Sequence, residues 1–307
     1  MHPFRFAVQQ GSAESGEAWA ALARRAESLG YDVLVMPDHL GRQLSPFAAL
    51  AAAAAATTRL RVGAFVFAND YRHPLILARE AATLDLLSGG RFEMGLGAGW
   101  MTSDYRQLGM TYDPGPRRVD RLEEAIPLVK RLLAGETVTH HGEHYRLDRA
   151  SVGVATVQKP RPPLAIGGGG PRMLRLAARE AEIVGLVPGF SAHGRPLVRQ
   201  ATETATAEKV ALIRQAAGNR FERLELNLWL GDAGLTGSGN SLLGSVAAAA
   251  RWAATALYGS PYVLYGTLNS AREQLQRRRD KHGISYYTIP SHAMESMAPL
   301  VEALADR

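Results

Sequence analysis

The sequence predicts an α/β fold, a (β/α)8 TIM barrel in which eight parallel strands alternate with helices. Two observations support this fold class. Short runs rich in branched residues alternate with longer helical segments along the whole chain, and glycine follows most of the helical segments. The predicted strands are residues 5–9, 32–36, 60–67, 91–96, 163–166, 183–187, 224–230 and 284–289. The predicted helices are residues 17–29, 46–56, 74–87, 117–133, 171–179, 202–217, 270–282 and 294–304.

Glycines mark the ends of these helices in chain order. The first helix stops at Gly30, the third at residues 88–90, the fourth at Gly135, the sixth at Gly218 and the seventh at Gly283. Glycine takes the left-handed conformation that ends a helix without a steric penalty, because it has no Cβ atom. The final helix, without such a stop, closes the chain and completes the inventory of a barrel.

Two stretches exceed a minimal barrel. Residues 136–160 follow the fourth helix and contain a hairpin-like pattern at 140–147. Residues 231–267 follow the seventh strand, are rich in glycine and serine at first, and become helical over 247–257. Long loops of this kind are usually lids or binding loops. Since no linker or repeat divides the sequence, we expect a single domain over residues 1–307.

Composition excludes several classes of protein. The 307 residues are 46% hydrophobic and 21% charged, which is enough apolar material for a substantial core. The chain has no cysteine, which excludes a disulfide scaffold, a thiolate metal site and a cysteine nucleophile. No run approaches the roughly 20 apolar residues that cross a bilayer, and no signal peptide pattern is present. We therefore expect a cytoplasmic protein with no membrane partner.

The net charge of +6 raises the question of nucleic-acid binding. The basic residues are scattered, and their tight cluster at 277–279 fits the solvated face of a late helix. We therefore expect no nucleic-acid partner. A small polyanionic ligand would suit the same excess of positive charge.

Candidate site residues follow the strands, because TIM-barrel active sites lie at the carboxyl ends of the strands. Asp38 and His39 come after the second strand, and an imidazole there can exchange a proton with a ligand. Residues 167–170 are four consecutive glycines before Pro171, so that backbone N–H groups at a helix N-terminus could bind a phosphate. A tight strand-to-helix turn would also require glycine.

Glycines at 95, 97 and 99 precede Trp100 at the end of the fourth strand. They do not complete the dinucleotide-binding pattern G-x-G-x-x-G, since Trp100 or Thr102 stands at its last position. Two interpretations stay open. The missing side chains either leave room for a flat ring with Trp100 as a wall, or allow close packing inside the barrel.

Other chemistries find no support in the sequence. The nucleophile elbow G-x-S-x-G, the P-loop and the zinc motif H-E-x-x-H are absent. His140, His141 and His144 lie close in sequence, but a strand would direct neighbouring rings to opposite faces, so we expect no metal site. A barrel with a glycine-lined mouth, an anion loop and no nucleophile indicates that a bound cofactor performs the chemistry.

The chain resembles the luciferase-like monooxygenase superfamily and, within it, the oxidoreductases that use the deazaflavin coenzyme F420. The resemblance covers nearly the whole chain and is most specific over residues 71–100, with further matches at 165–172, 265–267 and 275–287. It implies a TIM barrel, a homodimer, and hydride transfer between F420 and a small organic substrate. Two alternatives stay open: an FMN-dependent monooxygenase, and a cofactor-binding barrel without turnover.

The resemblance also assigns roles to residues. By similarity, His39 is the catalytic acid or base, the glycines at 168–170 form the phosphate loop, and Arg118 is a second phosphate partner. Phe65–Val66 matches a bulge that supports the back of the ring, often with a cis peptide, with Ala64–Phe65 as the other candidate. The candidate cofactor-binding residues are Asp38, Phe65, Val66, Gly97, Gly99, Trp100, Arg118, Gly168, Gly169 and Gly170.

The substrate is less well defined by the sequence. F420-dependent sugar dehydrogenases carry a glutamate just after the second glycine of the fourth strand, where this chain has Ala98. The substrate and the proton relay of these dehydrogenases therefore cannot be assigned directly to this chain. Phe65, Phe67 and Trp100 indicate an apolar or aromatic organic substrate.

Overall fold

The structure is a computed structural model that describes residues 1–190, 196–236 and 259–305. Its strands in chain order are β1 (Arg5–Gln9), β2 (Val33–Met36), β3 (Arg61–Ala64), β4 (Phe67–Ala68), β5 (Phe92–Gly97), β6 (Val138–His141), β7 (Arg146–Ala150), β8 (Leu164–Gly168), β9 (Ile183–Leu186), β10 (Glu225–Trp229), β11 (Asp232–Leu235), β12 (Val263–Gly266) and β13 (Ile284–Pro290). The helices are α1 (Gly16–Ser28), α2 (Pro46–Ala55), α3 (Pro74–Leu87), α4 (Thr102–Gln107), α5 (Gly115–Leu133), α6 (Pro171–Glu180), α7 (Glu203–Ala217), α8 (Leu268–His282) and α9 (Met294–Leu304).

Eight parallel strands close into a barrel, as the sequence predicts. The pairing order is β3, β2, β1, β13, β10, β9, β8, β5, and β5 pairs back onto β3. The helices between these strands bury their apolar faces against the outside of the barrel. The third strand differs from its prediction as one continuous strand over 60–67. It is divided in two, because β3 ends at Ala64 and β4 begins at Phe67 and pairs with β5.

The helix boundaries follow the local signals in the sequence. Proline occupies the first position of α2, α3 and α6, where its fixed φ suits a helix start and no N–H is needed. His73 caps α3, with Nδ1 accepting from the N–H of Leu75 at 3.2 Å. Gly283 ends α8 with a φ of +75°, the left-handed conformation expected at that position.

Both insertions contain short strands outside the barrel. The first contains the expected hairpin, in which β6 pairs antiparallel with β7. In the second, β11 and β12 form a short parallel ladder that the sequence did not predict, since glycine-rich strands of this length resemble loops. The predicted helix at 247–257 lies outside the described residues. Within residues 1–190, 196–236 and 259–305, no helix is long and apolar enough to cross a membrane.

The arginine cluster on α8 differs from expectation. Arg277 is exposed, but Arg278 and Arg279 are half-buried, and the Arg279 guanidinium lies 4.1 Å from the centre of the Phe4 ring. The prediction of a solvated face therefore holds for Arg277 and is wrong for Arg278 and Arg279, which are half-buried.

Charged side chains fill part of the barrel interior. Arg5 on β1 donates to Glu225 on β10 at 2.6 Å and also to Glu93 on β5, and Arg61 donates to Glu93 at 2.7 Å. Burial raises the pKa of Glu225 to about 7, although the Arg5 guanidinium opposes the shift. The barrel therefore contains a glutamate whose folded-state pKa lies well above its usual 4.5.

This pKa predicts stability that falls as pH rises. Because the folded form binds its proton more tightly than the unfolded chain, the contribution of Glu225 is complete below pH 4.5 and is lost as pH rises through about 7. Between about pH 5 and about pH 8, we expect the wild type to lose about 2 to 3 kcal/mol relative to Glu225→Gln. Urea unfolding of both proteins at both pH values gives their free energies of unfolding. A difference between the two proteins that is the same at both pH values would contradict the prediction.

Candidate active site

A cavity of about 1020 Å³ opens at the carboxyl ends of the barrel strands. Its wall takes residues at or just after the ends of β1, β2, β3, β5, β8, β9 and β10. The structure brings every candidate catalytic and cofactor-binding residue predicted from the sequence to this one cavity: Asp38, His39, Phe65, Val66, Gly97, Gly99, Trp100, Arg118, Gly168, Gly169 and Gly170.

His39 lies at the cavity wall with one ring nitrogen bound to a buried carboxylate. Nδ1 is 2.8 Å from Oδ2 of Asp104, whose side chain is 1% exposed. The backbone N–H of His39 donates to Gln43 at 2.9 Å, and the ring stands edge-on to Trp100 with centroids 5.5 Å apart. Since Nδ1 is bound to Asp104, Nε2 is the nitrogen available to a ligand.

Asp104 is a site residue that the sequence analysis missed. It belongs to α4, a helix of six residues that follows the fourth barrel strand and was not predicted. His39 and Asp104 are 65 positions apart, so no local spacing connects them. The available signal was a carboxylate shortly after a strand end, but this signal does not identify its partner.

The Asp38 side chain is turned to Arg72. The Arg72 guanidinium binds both carboxylate oxygens, at 2.5 and 3.1 Å, and the backbone N–H of Ala68 donates to Oδ2 at 3.0 Å. Asp38 therefore lines the cavity beside His39, while its carboxylate links the end of β2 to Ala68 and Arg72. Because the carboxylate is already paired with Arg72, Asp38 stabilises the cavity wall and does not present a free charge to a ligand.

The peptide bond between Phe65 and Val66 is cis, at the first of the two positions proposed for it. Val66 then occupies the space beside the strand glycines. A Cβ atom at Gly97 would lie 2.6 Å from Val66 Cγ2, and one at Gly185 would lie 2.7 Å from the Phe65 ring. Close packing against residues 65 and 66 therefore explains the glycines of these strands.

Close packing also explains the glycine at position 99. It has a φ of +74°, and a Cβ atom there would lie 2.2 Å from the hydroxyl of Tyr105. The interpretation that the absent side chains at 97 and 99 leave room for a flat ring is wrong, since protein atoms fill those spaces. The two glycines contribute backbone to the cavity wall instead.

The glycine loop at the start of α6 forms one end of the cavity. Gly170 caps the helix, and Gly169 lies so close to the next loop that a Cβ atom would be 2.6 Å from the Val187 carbonyl oxygen. The guanidinium of Arg172 faces away, since it donates to Asp120 at 2.6 Å and also to Glu123. The loop therefore presents backbone, without a side-chain cation of its own.

Arg118, on the first turn of α5, supplies a cation at the cavity wall. It is 8% exposed, and its guanidinium lies 4.1 Å from the centre of the Tyr112 ring and donates to the Asp113 carbonyl at 2.9 Å. Its Nε atom is buried with no hydrogen-bond partner among the described residues. A buried guanidinium with an unused donor is suited to bind an anion.

Aromatic rings form another part of the wall. Trp100 stacks on Phe190 with centroids 5.5 Å apart, and Phe190 meets Trp229 edge-on at 5.8 Å. Phe67 does not belong to this group, although the sequence analysis placed it near the substrate. It is fully buried and stacks on Phe47 at 4.4 Å, because β4 directs its side chain toward the surrounding helices.

The model of the luciferase-like monooxygenase family matches residues 1–302. The chain belongs to this family. An F420-dependent glucose-6-phosphate dehydrogenase from Microbacterium testaceum is 33% identical over 189 residues, which cover 59% of this chain and 55% of that protein. The chain spans about half the length of the curated relatives it matches.

Solved structures share the fold over nearly the whole chain. The coenzyme F420-dependent tetrahydromethanopterin reductase of Methanopyrus kandleri superposes with a TM-score of 0.78 at 17% identity, covering 99% of this chain and 100% of that one. A monooxygenase from Streptomyces bottropensis gives a TM-score of 0.76 at 21% identity, covering 98% of both chains. At these identities the likeness shows the TIM-barrel fold alone.

Proposed function

We propose that the protein is an F420-dependent oxidoreductase that transfers a hydride between this coenzyme and a small organic substrate. The observation that carries the proposal is the joint presence, in one cavity, of a histidine paired with a buried carboxylate, a glycine loop at a helix N-terminus and the buried Arg118. The F420-dependent relatives and the Asp38–His39 pair support F420 over other cofactors.

The hydrogen-bond donors in the cavity fit coenzyme F420. The buried and unused Nε of Arg118 suits a phosphate, and the glycines at 168–170 let backbone approach it at the start of α6. Trp100 and the Phe65–Val66 segment would hold the ring. The net charge of +6 suits the polyanionic tail of the coenzyme.

The coenzyme supplies the hydride chemistry at C5 of its ring. The protein contributes orientation and a proton path. His39 exchanges the proton that accompanies the hydride, and the aromatic wall of Trp100, Phe190 and Trp229 excludes water from the reacting atoms.

We propose an apolar or aromatic substrate, because Trp100 lies against His39 and the cavity wall also contains Phe190, Trp229 and Met101. The test supplies reduced F420 with a hydrophobic cyclic enone, and oxidised F420 with glucose 6-phosphate, and follows the coenzyme absorbance. We expect turnover with the enone. Turnover restricted to glucose 6-phosphate would overturn the substrate class while leaving the coenzyme assignment intact.

An FMN-dependent monooxygenase is the second candidate, favoured by membership of the luciferase-like monooxygenase family. Reduced FMN reacts readily with oxygen, whereas reduced F420 does not. Oxygen consumption that depends on FMN and on an added organic substrate would favour this candidate. Tight binding of F420 without turnover of any acceptor would favour a binding protein.

We also propose a homodimer in the cytoplasm. Three apolar side chains of α3 are substantially exposed, Ile76 at 47%, Leu86 at 51% and Leu87 at 65%, and two of them, Ile76 and Leu87, line a groove together with Phe47. Exposed apolar clusters of this kind mark contact surfaces. Light scattering should give about twice the chain mass of 33.1 kDa, and a value equal to the chain mass would contradict the dimer.

A further inference from the structure

Three hydrogen-bond donors converge on the carboxylate of Asp104. His39 Nδ1 and the Tyr71 hydroxyl approach Oδ2 at 2.8 and 3.1 Å, and the backbone N–H of Leu40 approaches Oδ1 at 3.4 Å. Burial, with the nearby Asp104 carboxylate, raises the pKa of Tyr71 above its usual value, so the hydroxyl keeps its hydrogen and donates. Asp104 is thus buried behind His39 and Tyr71, two residues that line the cavity.

This arrangement determines where the imidazole carries its hydrogen. An ionised carboxylate can only accept, so the hydrogen bond to His39 requires a hydrogen on Nδ1. The neutral ring then has its lone pair on Nε2, and the protonated ring has a second N–H there. In both forms Nε2 is the atom that can exchange a proton with a ligand in the cavity.

We propose that Asp104 is a positioning residue for proton transfer, which holds the His39 ring with its hydrogen on Nδ1 so that Nε2 exchanges the substrate proton. The inference rests on the proposed function. In the oxidising direction, a substrate C–H bond would break with its electron pair and the hydride would pass to the coenzyme, while a proton of the same substrate passes to Nε2. The imidazolium that forms is stabilised by the Asp104 carboxylate, and reduction reverses each step.

Comparison with similar pairs supports a role at the cavity. The described residues contain four histidine–carboxylate pairs, and the His39–Asp104 pair is the one whose histidine lines the cavity. The other pairs lie elsewhere in the fold: His140–Glu124, His282–Glu203 and His292–Asp232. These three pairs connect separate elements away from the cavity, as expected of pairs with a purely structural role.

The first test is the tautomer of His39 in the protein without added coenzyme. ¹⁵N spectra of histidine-labelled protein at mildly alkaline pH distinguish a ring with hydrogen on Nδ1 from one with hydrogen on Nε2, and His39→Ala identifies the signal. We expect hydrogen on Nδ1 in the wild type. Hydrogen on Nε2 would overturn the proposal, whatever the coenzyme proves to be, and the measurement needs no change at Asp104.

The second test is Asp104→Asn, which keeps the shape and removes the charge. We expect kcat with F420 to fall about 10- to 100-fold and the Kd of F420 to change less than about threefold, because a positioning residue acts in the transition state. The population with hydrogen on Nδ1 should fall in the same variant. An unchanged kcat, or a loss of F420 affinity equal to the loss of kcat, would overturn the proposal.

Two controls separate positioning from structure. Glu124→Gln breaks the His140–Glu124 pair of 2.9 Å away from the cavity and should leave kcat unchanged. Tyr71→Phe removes one donor to Asp104 while the His39 contact persists, so kcat should fall less than in Asp104→Asn. An equal or larger loss in Tyr71→Phe would show that Asp104 acts through Tyr71 instead.

If no F420 turnover occurs in any variant, the proposed function fails while the tautomer result still decides this inference.

Discussion

Replacing His39 by alanine should lower kcat about 10²- to 10⁴-fold, the range that general acid–base groups contribute, while the Kd of F420 changes less than about threefold. The reason is that Nε2 acts on the proton in the transition state, whereas the cavity holds the coenzyme through many other atoms. Fluorescence titration gives the Kd, and single-turnover absorbance of the coenzyme gives the rate.

The control for this prediction is His141→Ala. His141 is exposed on β6, outside the cavity, so its loss should change neither quantity. Parallel losses of rate and affinity in His39→Ala would show that His39 only binds the coenzyme, and the proton-transfer role would then be wrong.

Arg118→Met should weaken F420 binding about 10- to 100-fold, since a charge-assisted hydrogen bond contributes about 1.5–3 kcal/mol. The change keeps the length of the side chain beside Tyr112 and removes a buried charge whose Nε has no partner among the described residues. Loss of the Arg118 hydrogen bond to the Asp113 carbonyl should lower the thermal stability only slightly, since the buried charge is removed with it. The binding loss should shrink as salt is raised, because the contact is ionic.

Arg117→Met is the matched control. Arg117 is the exposed neighbour on the same helix, so its loss changes the net charge by the same amount without touching the cavity. We expect its F420 affinity to stay within about twofold of the wild type. Equal weakening in both variants would mean that the overall charge attracts the coenzyme and that Arg118 makes no specific phosphate contact.

The barrel could be predicted because its signals are local. Glycine after a helix and proline at a helix start act within a few residues, so helices such as α3 and α8 lie where the sequence places them. The site residues near strand ends followed from the same reasoning, since in a closed parallel barrel those ends share one rim. The family resemblance added the Phe65–Val66 bulge and the prediction that Arg118 contacts a phosphate.

The remaining features depend on contacts between distant segments. Asp104 meets His39 across 65 positions, and its helix α4 has no strong pattern of its own. The space at Gly97 is filled by Val66, which lies between β3 and β4, and the sequence could not distinguish this packing from space for a ligand. Phe67 points away from the cavity because the strand breaks just before it and resumes as β4.

The measurement that tests the central claim most directly is a side-by-side titration of the purified protein with F420 and with FMN. Ring fluorescence reports binding, and repetition at raised salt reports the ionic contribution. The account predicts that F420 binds more tightly than FMN and that its affinity falls with salt, through contacts at Arg118 and the α6 loop. Tighter binding of FMN, or binding of neither compound, would contradict the assignment to F420.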